Sequence, residues 1–213
     1  MVVKTEKLKA VTAQIPGDPS SAAFFIAGVA MTPGSQLRVE GVCLNPTRIG
    51  FLEVLKRMGA DIKIQVTHDI PEPLGVINVK GAELRGTIIR KDEIPSLIDE
   101  IPILMTVMSL AKGESVISGA EELRVKETDR IKSMTVNLSA VGAHIKELSD
   151  GCEITGVKQL AGAKIDSFGD HRTAMSLAIG TLSMAGSLEI RDIDCVGTSF
   201  PTFFDTFNKL KQG

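Results

Sequence analysis

Residues 124–130 read Arg-Val-Lys-Glu-Thr-Asp-Arg and place five ionisable side chains in seven positions. The stretch follows Ala-Glu-Glu-Leu and precedes an apolar-periodic segment, which predicts the start of a helix rather than a charged tail. Lys126 and Arg130 would then lie one turn apart on one face, with Glu127 beside them. In a cleft, these groups could hold an anion next to a proton-transferring carboxylate. On an open surface they would form a solvated turn with Glu127 paired to Arg130.

The composition narrows the class of protein. The chain has 213 residues, 43% of them hydrophobic, which is ample for a core. A net charge of -2 and the absence of Trp and Tyr disfavour nucleic acid as a partner. The apolar runs are shorter than the roughly 20 residues of a membrane span, so no membrane association is expected. Three widely separated cysteines and a charged N-terminus predict buried, reduced thiols, no targeting segment and a cytoplasmic location.

The first third of the chain predicts a β-α-β-α-β-β unit. A strand over 8–15 leads through Pro-Gly-Asp-Pro into a helix with Asp18 as N-cap and Pro19 at the first helical position. That helix is apolar on all sides, so it should be buried. A strand over 36–42, an amphipathic helix from Thr47, and paired strands near 62–66 and 75–79 complete the unit.

The same order of elements recurs along the chain. A strand over 84–89, an apolar helix over 94–111, a strand over 115–118 and an amphipathic helix precede Gly-Ala-His-Ile at 142–145, which matches Gly-Ala-Asp-Ile at 59–62. A third copy begins at 164 and ends without its closing strands. Helix-strand alternation is common in α/β proteins, but the matched turns favour true repeats. The predicted fold is an α/β inside-out barrel with apolar helices inside, sheets outside and an incomplete third unit.

Polar residues gather at the predicted helix entrances, which a repeat architecture would bring to one side. Helix N-termini and arginine side chains favour phosphate and carboxylate, so this face predicts an anion site. Asp170 could equally be a simple N-cap, and His171 a capping-turn residue. Asp99, inside an apolar helix pattern, would need a buried partner. His68 and His144 are interpreted as surface residues, and no metal site is indicated. The three sets are Asp18, Ser20 and Ser21; Asp99, Glu100, Lys126, Glu127 and Arg130; and Asp170, His171 and Arg172.

Five ordered motifs resemble one family. They are PGDPSSAA at 16–23, LNPTR at 44–48, RVKETDR at 124–130, GDHR at 169–172 and TSFPTFF at 198–204. Together they are similar to the 5-enolpyruvylshikimate-3-phosphate synthases, the glyphosate targets of the shikimate pathway of aromatic amino acid biosynthesis. The resemblance covers only the C-terminal half of that two-domain family. It implies a hinge remnant and preceding strand over 1–14, a C-terminal enolpyruvyl transferase domain over 15–213, and a missing N-terminal domain as partner.

The resemblance also implies a reaction and residue roles. The family transfers the enolpyruvyl group of phosphoenolpyruvate to the 5-hydroxyl of shikimate 3-phosphate and uses no metal or redox cofactor. By motif, Asp99 would be the base for the attacking hydroxyl, and Glu127 would handle the proton at the methylene carbon. Lys126 would help hold shikimate 3-phosphate. The remaining expected contacts, to phosphoenolpyruvate, come from Arg130, His171 and Arg172.

Two positions depart from the family pattern, and two other functions stay open. Thr198 stands where some members have a lysine, and Glu122 where some have an asparagine that touches the shikimate phosphate.

Since half of the site is absent, the chain alone is expected to be inactive. The alternatives are an enzyme resembling the UDP-N-acetylglucosamine enolpyruvyl transferase and a non-catalytic binding module of the same fold.

Overall fold

The computed structural model describes Ala10 and residues 15–69 and 72–212. Most of the predicted strand over 8–15 and of the hinge remnant over 1–14 lies outside the described residues. Six α-helices and nine strands are found in the described part. The helices are α1 (Pro19–Ala30), α2 (Gly50–Arg57), α3 (Ile101–Met108), α4 (Arg130–Ala140), α5 (His171–Gly180) and α6 (Phe203–Gln212). The strands are β1 (Gln36–Cys43), β2 (Asp61–His68), β3 (Leu74–Lys80), β4 (Ile88–Ile89), β5 (Glu114–Ile117), β6 (His144–Leu148), β7 (Gly151–Thr155), β8 (Leu160–Asp166) and β9 (Met184–Arg191).

The strands form three separate sheets. The first has the order β1-β3-β2 and is antiparallel, and a parallel bridge joins Gly17 to Val42 at its edge. The second has the order β4-β5-β7-β6, with β4 and β5 parallel and the other pairs antiparallel. The third is the parallel pair β8-β9. A parallel bridge or a parallel strand pair thus joins the chain segments before and after each of α1, α3 and α5, and within the described residues the third sheet lacks the antiparallel strands of the other two.

The core is built from the three apolar helices. Helices α1, α3 and α5 each contact the other two, and every residue of α3 is buried. Burying apolar surface on all sides explains why these helices show no polar stripe in the sequence. Phe203 of α6 is also fully buried and meets Phe24 and Phe25 of α1 edge-on or tilted, which closes the core at its C-terminal side. Among the described residues, none of the helices combines the length and hydrophobicity that a bilayer crossing would require.

The two Gly-Ala turns noted in the sequence have the same geometry. Gly59 and Gly142 follow α2 and α4 with φ of 109° and 88°, a conformation that glycine adopts without steric cost. In both turns the alanine N–H returns to a carbonyl five residues earlier, Leu55 in one and Leu138 in the other. This αL helix ending then sends the chain into β2 or β6.

Several predicted boundaries are wrong, and proline explains the largest error. The predicted helix over 94–111 is two 3-10 turns, Ile94–Ser96 and Ile98–Glu100, followed by α3. Pro102 has no N–H to donate to residue 98, so it belongs in the first turn of a helix that starts at Ile101. The strand over 84–89 shrinks to β4, and α2 begins at Gly50 because Asn45 holds Thr47 in a turn.

The capped start of α1, the three free cysteines and the exposure of His68 and His144 agree with prediction. The prediction of buried thiols is right for Cys152 but wrong for Cys43 and Cys195, which are partly exposed. The architecture is a mixed α/β fold, and the described sheets do not close into a barrel.

Candidate active site

The start of α4 differs from the predicted charged first turn. Asp129 has an extended backbone and its carboxylate accepts the N–H of Lys132 at 3.0 Å, so the helix begins only at Arg130. Lys126 lies before the helix, in extended conformation, with its ammonium 3.5 Å from Glu122. The prediction that Lys126 and Arg130 share one helix face is therefore wrong, because the Asp129 cap separates them.

Arg124 anchors the approach to this helix. Its guanidinium lies 2.7 Å from Asp129 and 2.9 Å from Glu147 of β6, and Nε donates to the Ser149 carbonyl at 2.7 Å. These contacts tie residues 124–129 to the β6-β7 hairpin. Because Arg124 holds this segment, Asp129 stays in place as the cap of α4 and so positions Arg130.

Arg130 is the centre of the site. Its side chain is only 1% exposed, yet the guanidinium meets three carboxylates: Nε donates to Asp170 at 2.6 Å, Nη2 to Glu127 at 2.6 Å and Nη1 to Asp99 at 3.2 Å. Asp170 is fully buried, whereas Glu127 and Asp99 keep 51% and 40% of their side chains exposed. The arginine thus connects one inner carboxylate to two that face outward.

Asp170 is both the N-cap of α5 and a member of the charged cluster around Arg130. Its carboxylate accepts the N–H groups of Arg172 and Thr173 and caps α5, while its other oxygen binds Arg130. Arg172 follows the cap and reaches Asp99, with Nη2 3.2 Å from a carboxylate oxygen and Nη1 3.2 Å from the carbonyl. The partners that Asp99 was expected to need are therefore Arg130 and Arg172. Asp99 itself lies on a 3-10 turn before α3, not inside a helix.

His171 is the first residue of α5, beside this cluster. Partial burial and the neighbouring Arg172 guanidinium lower the pKa of His171, against the opposing effect of Asp170 and Glu127. A lowered pKa favours the neutral imidazole at physiological pH. The ring can then donate one hydrogen bond and accept another.

A second polar group lies at the entrance of α1. Asp18 accepts the N–H groups of Ser20 and Ser21, and Arg48 donates to both Asp18 and Ser20 at 3.2 Å. Partial burial acts to raise the pKa of Asp18, but the Ser21 and Ser20 hydrogen bonds and Arg48 outweigh it and lower the pKa. In the sequence, Arg48 was noted only as the last residue of the LNPTR motif at 44–48. Because it lies 30 positions from Asp18, local sequence patterns could not reveal this contact.

Glu100 was also underrated by sequence reasoning. It follows Asp99 directly but is only 3% exposed, and its buried Oε1 has no hydrogen-bond partner among the described residues. Burial raises the pKa of Glu100, although the Ser20 hydroxyl and Arg172 oppose the shift. The charged pair Asp-Glu in an apolar segment was the available signal, but only the fold shows that the two side chains lie in different surroundings.

The two departures from the family pattern have local partners. Glu122 forms an ion pair with Lys126, so a cation lies beside its negative charge. Thr198 donates its hydroxyl to the Cys195 carbonyl at 2.7 Å within a 3-10 turn. Thr198 therefore caps its own turn and supplies no cation.

Fold and site together define the class: a mixed α/β protein that brings carboxylates and arginines to its helix N-termini, as suits acid-base chemistry on anionic ligands. The sequence profile described as EPSP synthase (3-phosphoshikimate 1-carboxyvinyltransferase) matches residues 1–207. The chain belongs to the EPSP synthase family, which confirms the resemblance found in its motifs.

Similar proteins agree with this assignment. A 3-phosphoshikimate 1-carboxyvinyltransferase of Synechococcus sp. (strain JA-3-3Ab) is 46% identical over 98% of the chain and 47% of that relative, and one of Carboxydothermus hydrogenoformans is 46% identical over 98% and 49%. An EPSP synthase structure from Acinetobacter baumannii superposes with a TM-score of 0.89 at 40% identity, over 92% of this chain and 46% of that one. The chain spans about half the length of the curated relatives it matches.

A more distant structure shares the fold alone. The enolpyruvyl transferase NikO from Streptomyces tendae matches with a TM-score of 0.65 at 14% identity, over 90% of this chain and 42% of that one. The architecture therefore persists at low identity, and any inference about function must come from the site.

Proposed function

We propose that this chain forms one half of the active site of an enzyme that transfers the enolpyruvyl group of phosphoenolpyruvate to the 5-hydroxyl of shikimate 3-phosphate. The observation that carries the proposal is the buried Arg130, which holds Asp99 and Glu127 together at a partly exposed face. Membership of the EPSP synthase family supports the choice of reaction.

The two outward carboxylates suit the two proton transfers of this reaction. The 5-hydroxyl oxygen bonds to C2 of phosphoenolpyruvate while Asp99 takes the hydroxyl proton. Glu127 delivers a proton to C3, which becomes a methyl group in a tetrahedral ketal. Phosphate then leaves C2 with the proton that Asp99 holds, and a C3 proton passes back to Glu127, which gives the enol ether. A positioned general acid or base contributes about 10²- to 10⁴-fold to such steps.

The cations of the site suit the anionic substrates. We assign Arg130, Arg172 and neutral His171 to the carboxylate and phosphate of phosphoenolpyruvate, where guanidinium groups can bind in a bidentate manner. Lys126, beside Glu122, would assist with shikimate 3-phosphate. In the bound state each substrate oxyanion would share or replace a carboxylate partner of these cations, so ligand binding and rearrangement of the ion pairs would be coupled.

The remaining features of the proposal concern the whole protein. The element order supports copies of one β-α-β-α-β-β unit arranged as an inside-out barrel, with 15–213 as the C-terminal domain and 1–14 as the hinge remnant. The partner domain would be the part of the family's length that this chain does not span, and it would supply the opposite wall of the site. Three free cysteines support a cytoplasmic location.

The test uses this chain joined to the part of the Synechococcus relative that it does not span. We expect this chimera to release phosphate from phosphoenolpyruvate only when shikimate 3-phosphate is present, and the 213-residue chain alone to be inactive. Turnover with UDP-N-acetylglucosamine instead of shikimate 3-phosphate would replace the proposal with the related transferase. If the folded chimera binds neither acceptor, the chain is a non-catalytic module.

A further inference from the structure

The loop that leads into α5 has an unusual backbone. Phe168 and Gly169 both lie in the left-handed region, with φ of 55° and 72°. Among the described residues, Phe168 shares this conformation with one other non-glycine residue, Asp192, whose φ is 57°. A residue with a Cβ rarely adopts a left-handed backbone, and such a backbone persists where surrounding contacts hold it in place. Contacts that hold both residues are therefore expected.

One buried hydroxyl links the two left-handed residues. Ser167 is 0% exposed, and its Oγ donates to the Asp192 carbonyl at 2.8 Å while it accepts the Gly169 N–H at 3.1 Å. The Ser167 backbone adds a second link, because its N–H donates to the Arg191 carbonyl at 3.2 Å. A hydroxyl has a single proton, so the donor role of Oγ is fully used. Ser167 thus joins the loop over 166–170 to the chain after β9.

The first residue of this loop is fixed from another side. Asn137 of α4 donates its amide to the Asp166 carbonyl at 2.7 Å and accepts the Asp166 N–H at 3.2 Å. The Asp166 carboxylate also accepts the Phe168 N–H at 2.8 Å. These contacts hold the loop to the helix that carries Arg130, whereas the Ser167 hydroxyl holds it to Asp192.

The last residue of the loop is the inner carboxylate of the site. The Asp170 N–H donates to the Ser167 carbonyl at 3.1 Å, and Asp170 accepts Nε of Arg130 at 2.6 Å. The same carboxylate caps α5. A shift of the loop would therefore displace the group that fixes the Arg130 guanidinium.

We propose that Ser167 is a positioning residue of the active site. Its hydroxyl holds the loop over 166–170 against Asp192, and this contact keeps Asp170 where it fixes the Arg130 guanidinium. In the proposed function, on which this step rests, Arg130 binds phosphoenolpyruvate. Ser167 therefore acts on that substrate through Asp170 and does not touch it.

The first measurement uses the 213-residue chain. The ¹H–¹⁵N signal of Arg130 Nε, assigned through the bonds of the side chain, reports the contact with Asp170. In Ser167→Ala, hydrogen exchange at Nε is expected to accelerate about tenfold, the equivalent of one hydrogen bond. The matched control is Ser115→Ala. Ser115 is 1% exposed and its Oγ accepts the Thr87 N–H at 3.2 Å, but it lies in β5, so Nε exchange should stay at the parental rate.

The second measurement uses the chimera. Ser167→Ala is expected to raise the KM for phosphoenolpyruvate about tenfold, since it weakens a contact to a charged group. The KM for shikimate 3-phosphate should not change, and Ser115→Ala should keep both parental values. A purely structural loss would lower the concentration of folded enzyme and leave both KM values unchanged.

The outcomes separate this inference from the proposed function. Equal Nε exchange in Ser167→Ala and Ser115→Ala would overturn the positioning role, and so would an unchanged KM for phosphoenolpyruvate in an active chimera. An inactive parent chimera would overturn the proposed function, while the Arg130 exchange rate would still decide the role of Ser167. If Ser167→Ala does not fold, the Gly169 amide of the parent decides: it should be protected from exchange although the residue is exposed, and an unprotected amide would overturn the proposal.

Discussion

The entrances of α4 and α1 both combine an arginine with an aspartate, but burial makes them different kinds of site. At α4, Arg130 is 1% exposed and one of its partners, Asp170, is fully buried. At α1, the side chains of Arg48 and Asp18 lie 3.2 Å apart, and each is about half exposed. A buried pair cannot lose one member without leaving a desolvated charge, whereas an exposed pair exchanges its partner for water at little cost. The Arg130–Asp170 pair therefore fixes the geometry of its site, whereas the Arg48–Asp18 pair contributes little to stability.

The largest expected effect is on catalysis at the α4 entrance. In the chimera, Glu127→Gln should lower kcat by about 100-fold or more, because the amide cannot transfer the C3 proton. Steady-state phosphate release measures it. The matched control is Glu53→Gln, another glutamate three residues from its cation, at 2.8 Å from Lys56. An unchanged kcat in Glu127→Gln would remove Glu127 from the mechanism.

The next largest effect is on stability. Arg130→Ala leaves Asp170 buried without its cation and should reduce the free energy of unfolding by about 3 to 5 kcal/mol. Urea unfolding of the chain measures this loss. The control Arg38→Ala breaks an exposed pair with Glu40 and should change stability by at most about 1 kcal/mol. Equal losses in both variants would contradict the distinction between buried and exposed pairs.

A third prediction concerns pH and Glu100. Because the folded state raises the pKa of Glu100 above 4.5, the unfolded state releases this proton first as pH increases. Its contribution to stability is present below 4.5 and is lost as pH rises to the folded-state pKa. Glu100→Gln has no ionisable group at this position. Its free energy of unfolding should therefore increase relative to that of the parent as pH rises through that window. Urea midpoints at pH 4 and pH 8 measure the trend, and a difference independent of pH would contradict it.

The smallest effect is expected at the α1 entrance. Arg48→Ala should change the free energy of unfolding by no more than about 1 kcal/mol, since both members of its pair are half exposed. Urea unfolding of the chain measures this change. A loss as large as that of Arg130→Ala would contradict the comparison between the two entrances.

Much of the fold was predictable because its signals are local. The Asp18 cap, the buried character of α1 and the Gly-Ala turns after α2 and α4 depend on residues within a few positions of one another. Predictions failed where a local signal was overlooked, as with Pro102 in the helix over 94–111 and Asp129 before α4. Both residues end or begin a helix through backbone hydrogen bonding, which apolar periodicity does not report.

The sequence by itself determined the class of fold, the family and the residue types at the helix entrances. Tertiary structure decided their pairing, because Arg130 finds Asp99 and Asp170 across 31 and 40 positions, and Arg172 reaches Asp99 across 73. It also decided that Asp99 pairs with the arginines while Glu100, the next residue, is buried. The physical reason is that burial and long-range charge contacts arise only when α1, α3 and α5 pack together and bring their entrances to one face.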